Sequence, residues 1–107
     1  MTSKKEKENQ FRSKIFKALS DPTRLKILDF LRNDEKCVCE IIPYVGLIQP
    51  VVSRHLKILK DTGLVRDKKD GNRRLYSITE PQIFEITDGI TPELIGKYTE
   101  RILERVV

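Results

Sequence analysis

Apolar residues recur at helical spacing along most of this chain, most cleanly between Leu47 and Leu64. There Val52, Leu56 and Leu59 fall four and three residues apart and share one helical face, while Arg54, Lys57 and Asp61 fall opposite with Ser53 at the flank. Pro50 suits the first turn, where its missing N–H is no loss, and Gly63 suits the left-handed position that closes a helix. Upstream, Phe11, Ile15, Ala18 and Leu19 predict a helix from about Asn9, after an arm of residues 1–8 expected to fray. Ser20-Asp21-Pro22-Thr23 breaks and restarts it, with Asp21 as N-cap and Leu25, Leu28 and Leu31 continuing on one face. After the polar Asn33–Lys36, Cys37 to about Tyr44 reads as a short helix with Val38, Ile41 and Ile42 apolar and Pro43 in its last turn. Residues 45–48 then form the turn before the 47–64 helix.

Beyond Val65 the period changes. Asp70-Gly71 lies between two extended runs, a strong hairpin signal, and Tyr76 and Ile78 alternate with polar neighbours. Residues 65–79 are therefore predicted to form a hairpin whose tip carries Lys68, Lys69, Arg73 and Arg74. Thr79-Glu80-Pro81 and Thr91-Pro92-Glu93 each start a further helix, the last carrying Leu94, Ile95, Tyr98, Ile102, Leu103 and Val106. The fold predicted is mainly α with a small β-hairpin wing, a winged helix-turn-helix forming one domain over 1–107. Helices at 9–46 lead to the reading helix at 47–64, the wing follows at 65–79, and 80–107 closes the chain. The first and last helices are expected to pair two copies, since one copy of 107 residues buries only a modest core; the alternative is that they merely complete the monomer core.

Charge sharpens this picture. Leu47–Ser77 holds eight Lys/Arg against three Asp/Glu, whereas the rest of the chain holds thirteen of each sign. The whole net charge of +5 thus lies on the helix–hairpin unit, the footprint expected of a nucleic-acid-binding face. On the outward side of the helix, Gln49 and Arg54 can make bidentate contacts with base edges and Ser53 can bond a base or a phosphate. Alone, such a helix is equally an ordinary surface helix, and a charged hairpin tip is equally a solvated edge. No apolar run approaches the ~20 residues of a membrane span, and Met1–Gln10 has no apolar core suited to a signal peptide, so a cytoplasmic location and no membrane partner are expected.

Two cysteines, Cys37 and Cys39, stand one residue apart, and the chain has one histidine. A four-ligand structural zinc site cannot be assembled from them within one chain. Nor does the chain offer a nucleophile with a base–orienter pair, a Gly-rich phosphate loop or a zinc-protease motif, so no enzymatic activity is expected.

Ala18-Leu19-Ser20-Asp21-Pro22-Thr23-Arg24-Leu25-Lys26-Ile27-Leu28, then Cys37-Val38-Cys39-Glu40-Ile41, then the reading helix and Gly71–Ile78 together resemble the ArsR/SmtB family of metal-responsive repressors, over about residues 11–79. The resemblance implies a homodimer on a partly palindromic double-stranded operator, released when metal binds. It implies DNA contacts at Gln49, Val51, Ser53 and Arg54, with Lys57 on the same outward face and Lys68, Lys69, Arg73 and Arg74 on the wing. His55 lies in the family's Ser-x-His-Leu pattern at the edge of the buried face, where packing and DNA contact are equally open. Cys37 and Cys39 resemble the inducer box of the arsenic-responsive branch. The implied inducers are As(III) and Sb(III), with Cd(II) and Pb(II) as alternatives and no constitutive cofactor. Three departures stand out. Ile42 occupies the place of a third cysteine, residues 1–36 contain no cysteine, and the C-terminal region offers Asp88, Glu93 and Glu100 but no histidine. Ile48 also stands where a capping serine is common.

Thiolates select soft or thiophilic centres. Residues i and i+2 of a regular helix point about 200° apart, so the pair is expected to grip one ion only if the first turn of its helix unwinds, tilting the reading helix. Two thiols leave a third ligand to water, a small cellular thiol or the other subunit. The same cysteines could instead form a redox switch, also by local unwinding, or simply be small apolar residues. A winged helix can also bind protein through an acidic partner.

Overall fold

The computed structural model describes residues 3–106; the expectations for Met1, Thr2 and the Val106 side chain lie outside the described residues. The elements run α1 (Lys4–Leu19), α2 (Pro22–Phe30), β1 (Lys36–Cys37), α3 (Val38–Val45), α4 (Gln49–Asp61), β2 (Val65–Asp70), β3 (Arg73–Ile78), α5 (Ile83–Gly89) and α6 (Pro92–Val106). The three strands form one antiparallel sheet in the order β1-β3-β2. This is a winged helix-turn-helix, with α3 and α4 as the helix pair and β2–β3 as the wing.

Local chemistry sets the element ends. Asp21 caps α2 by accepting from the backbone N–H groups of Thr23 and Arg24 at 2.8 and 3.2 Å. These donors outweigh the opposing effect of burial and hold its carboxyl below the usual range. Pro43 lies inside α3, and Gly46 ends the helix at φ +79°. Ile48 precedes α4 with no side-chain cap, as its apolar chain dictates. In the hairpin, Asp70 pairs with Arg73, which leaves Gly71 and Asn72 at the turn. Only Gly71 has positive φ, +62°, as at the first central position of a type II′ turn. Thr79 donates to the carbonyls of Gly63 (2.6 Å) and Leu64 (3.1 Å), returning the wing to the end of α4.

The core joins Ile27, Leu28 and Leu31 to Ile41, to Val52, Leu56 and Leu59 of α4, and to Val65, Tyr76, Ile83 and Phe84. Phe30 and Tyr44 stack with ring centroids 3.9 Å apart, holding α2 against α3.

Four expectations need correction. The first helix begins at Lys4 rather than Asn9, because Ser3 Oγ accepts from Glu6 N at 3.1 Å and starts a turn in the stretch expected to fray. Cys37 lies in strand β1, not in a helix: it pairs with Leu75 and has extended backbone, φ −70° and ψ 147°. The inner face of α2 is Ile27 and Leu28, while Leu25 is 38% exposed and turned toward α1 and α6. The helix after the wing begins at Ile83, beyond Thr79-Glu80-Pro81.

Candidate nucleic-acid interface and thiol site

The reading helix presents the side its periodicity predicted. Val52, Leu56 and Leu59 are buried, whereas Gln49, Ser53, Arg54 and Lys57 are exposed and Val51 is half-buried. Lys57 is paired with Asp61 one turn on, at 3.0 Å. Of the two roles left open for His55, its surroundings match packing. It is buried, and its Nδ1 faces Arg24 Nη1 at 3.2 Å; Arg24 also donates from Nε to the Ala18 carbonyl at 2.6 Å. Through Arg24 the imidazole ties α4 to α2 and to the end of α1.

The wing is fastened to the same helix by a carboxylate. Asp67, with its side chain only 8% exposed, meets Lys60 at 2.9 Å and Arg74 at 2.7 Å. The hydrogen bond from Lys60, then the one from Arg74, outweighs burial and holds the Asp67 carboxyl below its usual range. Burial of the Tyr76 hydroxyl itself, and then the nearby Asp67 charge, push its pKa up. Of the other tip cations, Lys68 lies 3.4 Å from Glu35, Arg73 lies 3.7 Å from Glu40, and Lys69 is exposed.

The two cysteines stand at the β1–α3 junction. Cys37 is the N-cap of α3: its Sγ accepts from Cys39 N at 3.1 Å, and Glu40 accepts in return from Cys37 N at 3.1 Å. Cys37 is buried and Cys39 exposed, their Cα atoms are 5.1 Å apart, and the sulfurs are joined as a disulfide. The i, i+2 objection therefore does not apply. Because Cys37 precedes the helix, both sulfurs converge with α3 fully wound, and neither a disulfide nor a shared ligand requires its first turn to open. A cleft of about 380 Å³ gathers this pair with Gln49 and Ser53 of α4 and Asn72, Arg73, Arg74 and Tyr76 of the wing. Arg54, Lys57, Lys68 and Lys69 lie outside its lining. In the sequence Glu40 is read only as part of the Cys37–Ile41 segment, with no role of its own, and Asn72 is not singled out. Cys-x-x-Glu is a capping box with sulfur in place of a hydroxyl, a signal that Cys37-Val38-Cys39-Glu40 did carry.

A third surface is apolar. Phe11, Phe16, Ile95, Tyr98, Ile102 and Leu103 are each more than half exposed, on α1 and α6, beside a groove formed by Leu19, Leu25, Ile86 and Ile90. In one copy these apolar residues of α1 and α6 are uncovered.

Residues 21–67 match the sequence profile described as bacterial regulatory protein, arsR family. The chain is 38% identical over 78 residues to an arsenical resistance operon repressor of Staphylococcus aureus, an alignment covering 73% of this chain and 75% of that protein. It belongs to the arsR family. A probable mercury resistance operon repressor of Streptomyces lividans is 39% identical over 69% of this chain, which spans 59% of that protein's length. Among solved structures, a homodimeric winged helix-turn-helix DNA-binding domain from Mycobacterium bovis superposes with a TM-score of 0.73 at 27% identity, covering 98% of this chain and 93% of that one. As an arsR-family member the chain is a DNA-binding transcriptional regulator rather than an enzyme. Among the described residues, no helix is long and apolar enough to cross a membrane.

Proposed function

We propose that this arsR-family chain is a homodimeric repressor that leaves its operator when As(III) or Sb(III) binds the reduced Cys37–Cys39 pair. The observation that carries the reading is the shared cleft, in which the thiol pair, Gln49 and Ser53 of the reading helix and the wing arginines line one space. Gln49, Val51, Ser53 and Arg54 would address bases and adjacent phosphates, with Lys57, Lys68, Lys69, Arg73 and Arg74 on the backbone. The apolar faces of α1 and α6 would join two copies, setting the reading helices into major grooves about 34 Å apart. Relatives named for arsenical, mercury and cadmium resistance support thiophilic inducers, with Cd(II) and Pb(II) as alternatives to As(III).

The geometry suggests a route for release that leaves α3 wound. Cys37 is at once the cap of α3 and the Leu75 partner in the sheet, and its neighbour Glu40 faces Arg73. A ligand drawing on the Cys37 sulfur competes with the cap and displaces β3 and its arginines, so ligand and DNA oppose one another reciprocally. The test is fluorescence anisotropy of the reduced protein on its own upstream DNA, titrated with arsenite without oxygen. Release in the parent and none in Cys37→Ser and Cys39→Ser is the expected result; equal release in the variants overturns it.

The disulfide favours a second reading, a redox-responsive repressor using the same pair. Specific DNA binding that ignores arsenite but falls on oxidation selects it. An absence of preference between operator and unrelated DNA would instead favour a protein-interaction module.

A further inference from the structure

We propose that the cleft beside Cys37 and Cys39 takes a small anionic thiol, whose sulfur completes the coordination of As(III) while its carboxylate is held by Arg73. The inference rests on the arsenic reading of the pair and names the missing ligand.

Arsenous acid exchanges up to three hydroxyl groups for thiolates, and the chain has only the two sulfurs of this pair as thiols. Among the described residues, no group of three or more His, Cys, Asp or Glu side chains is gathered to supply a third ligand. The partner subunit is badly placed to do so. The proposed dimer faces lie on α1 and α6, while the cleft is lined only by residues of β1, α3, α4 and the wing. The space is also large for one ion, at about 380 Å³.

The lining says what fills it. Gln49, Ser53 and Asn72 are polar, Arg73 and Arg74 are cationic, and no carboxylate lines the cleft. Arg74 is already engaged by Asp67 at 2.7 Å. Arg73 is not so engaged. Its nearest carboxylate, Glu40, stands at 3.7 Å, beyond hydrogen-bond distance, and the same Glu40 oxygen accepts from Cys37 N. A guanidinium with its fork of donors still to give, beside an exposed cysteine, fits a molecule carrying a thiol at one end and a carboxylate at the other. In the assembly step two protein S–H groups and one small-molecule S–H meet As(OH)₃. Three As–S bonds form, three As–O bonds break and three waters leave, with arsenic and sulfur unchanged in oxidation state. The carboxylate then occupies the arginine that the wing would otherwise offer to a DNA phosphate, so the co-ligand itself opposes DNA.

The test uses the full reduced chain without DNA or oxygen. Arsenite affinity is measured with mercaptopropionate, neutral mercaptoethanol or cationic cysteamine at equal concentration, after correcting free arsenite for what each thiol binds alone. Native mass spectrometry reads the protein–arsenic–thiol stoichiometry. A charge-assisted hydrogen bond to carboxylate predicts about tenfold tighter arsenite binding with mercaptopropionate than with mercaptoethanol, cysteamine being weakest. It also predicts a one-to-one-to-one complex and a ratio that falls toward one in Arg73→Gln. Equal affinity with all three thiols, or a preference that survives Arg73→Gln, overturns the co-ligand while leaving the two-thiol arsenic site standing. Failure of arsenite to bind with any thiol removes the arsenic reading and this inference with it.

Discussion

Replacing Arg24 by alanine removes the contact that ties the reading helix to the first two helices. Three acceptors lose a donor. The Lys17 carbonyl, at 3.3 Å, loses least, because Ser20 N and Ser20 Oγ already donate to it at 3.2 and 2.7 Å. The Ala18 carbonyl loses a short bond from a charged donor at 2.6 Å, worth about 1.5–3 kcal/mol. Nδ1 of buried His55 loses its 3.2 Å partner, and an unpaired buried polar group costs about 1–3 kcal/mol. These effects overlap, so the expected loss is about 2–4 kcal/mol, a large share of the ~5–15 kcal/mol that stabilises a small domain. The melting temperature should fall by roughly 10–25 °C. Urea unfolding of the reduced protein at one fixed concentration measures the change, since a dimer's midpoint moves with concentration. A double-mutant cycle with His55→Leu isolates the pair and should return a coupling of about 1 kcal/mol. If Arg24→Ala lies within about 0.5 kcal/mol of the parent, or the cycle shows no coupling, Arg24 does not tether α4 and the assignment of His55 to packing loses its support.

Other outcomes follow from the same geometry. Cys37→Ser keeps an acceptor for Cys39 N, so under reducing conditions it should unfold with the parent, whereas Cys37→Ala should lose about 1 kcal/mol with the cap in chemical denaturation. Asp67 has a lowered folded pKa, so its contribution is complete above the unfolded value of about 3.9 and is lost as pH falls through the folded value; amide exchange in β2 should rise on acidification below that range, and Asp67→Asn should remove the acid-dependent part. Gly46→Ala meets no atom within 4 Å but forces a side chain to φ +79°, which should cost about 1 kcal/mol in thermal melting. Tyr98→Glu with Ile102→Glu should shift sedimentation to the monomer, and a dimer unchanged by both would move the interface away from α6.

The readable parts of the molecule are those whose cause is local. Val52, Leu56 and Leu59 define α4 by spacing alone, Asp21-Pro22 caps α2 within three residues, and Gly71 marks a two-residue turn. Contacts between distant residues hid the rest. Nothing near Cys37 announces a strand, because β1 is two residues long and exists only through Leu75 and Tyr76. His55 sits at a boundary angle, and its burial is decided by Arg24, 31 positions earlier. The start of α1 was legible in Ser3 and Glu6, but a run of charges with no apolar period concealed it. Lys60 and Arg74 look like free surface cations until folding brings both onto Asp67.

The middle position of β3 has a consequence for the order in which the molecule can be assembled. As the polypeptide lengthens, α2, α3 and α4 can begin to pack once Asp61 has been made, because each touches the other two, although α3 still lacks β3 and α4 still lacks β2. The edge strand carrying Cys37 has nothing to pair with until Leu75 and Tyr76 exist, and closing that pairing spans the entire helix-turn-helix. The helix-turn-helix can therefore begin to pack while the edge carrying Cys37 is still an open chain end and the wing is not yet made. A nascent chain caught at that stage would carry Cys37 and Cys39 without the wing residues that line their cleft.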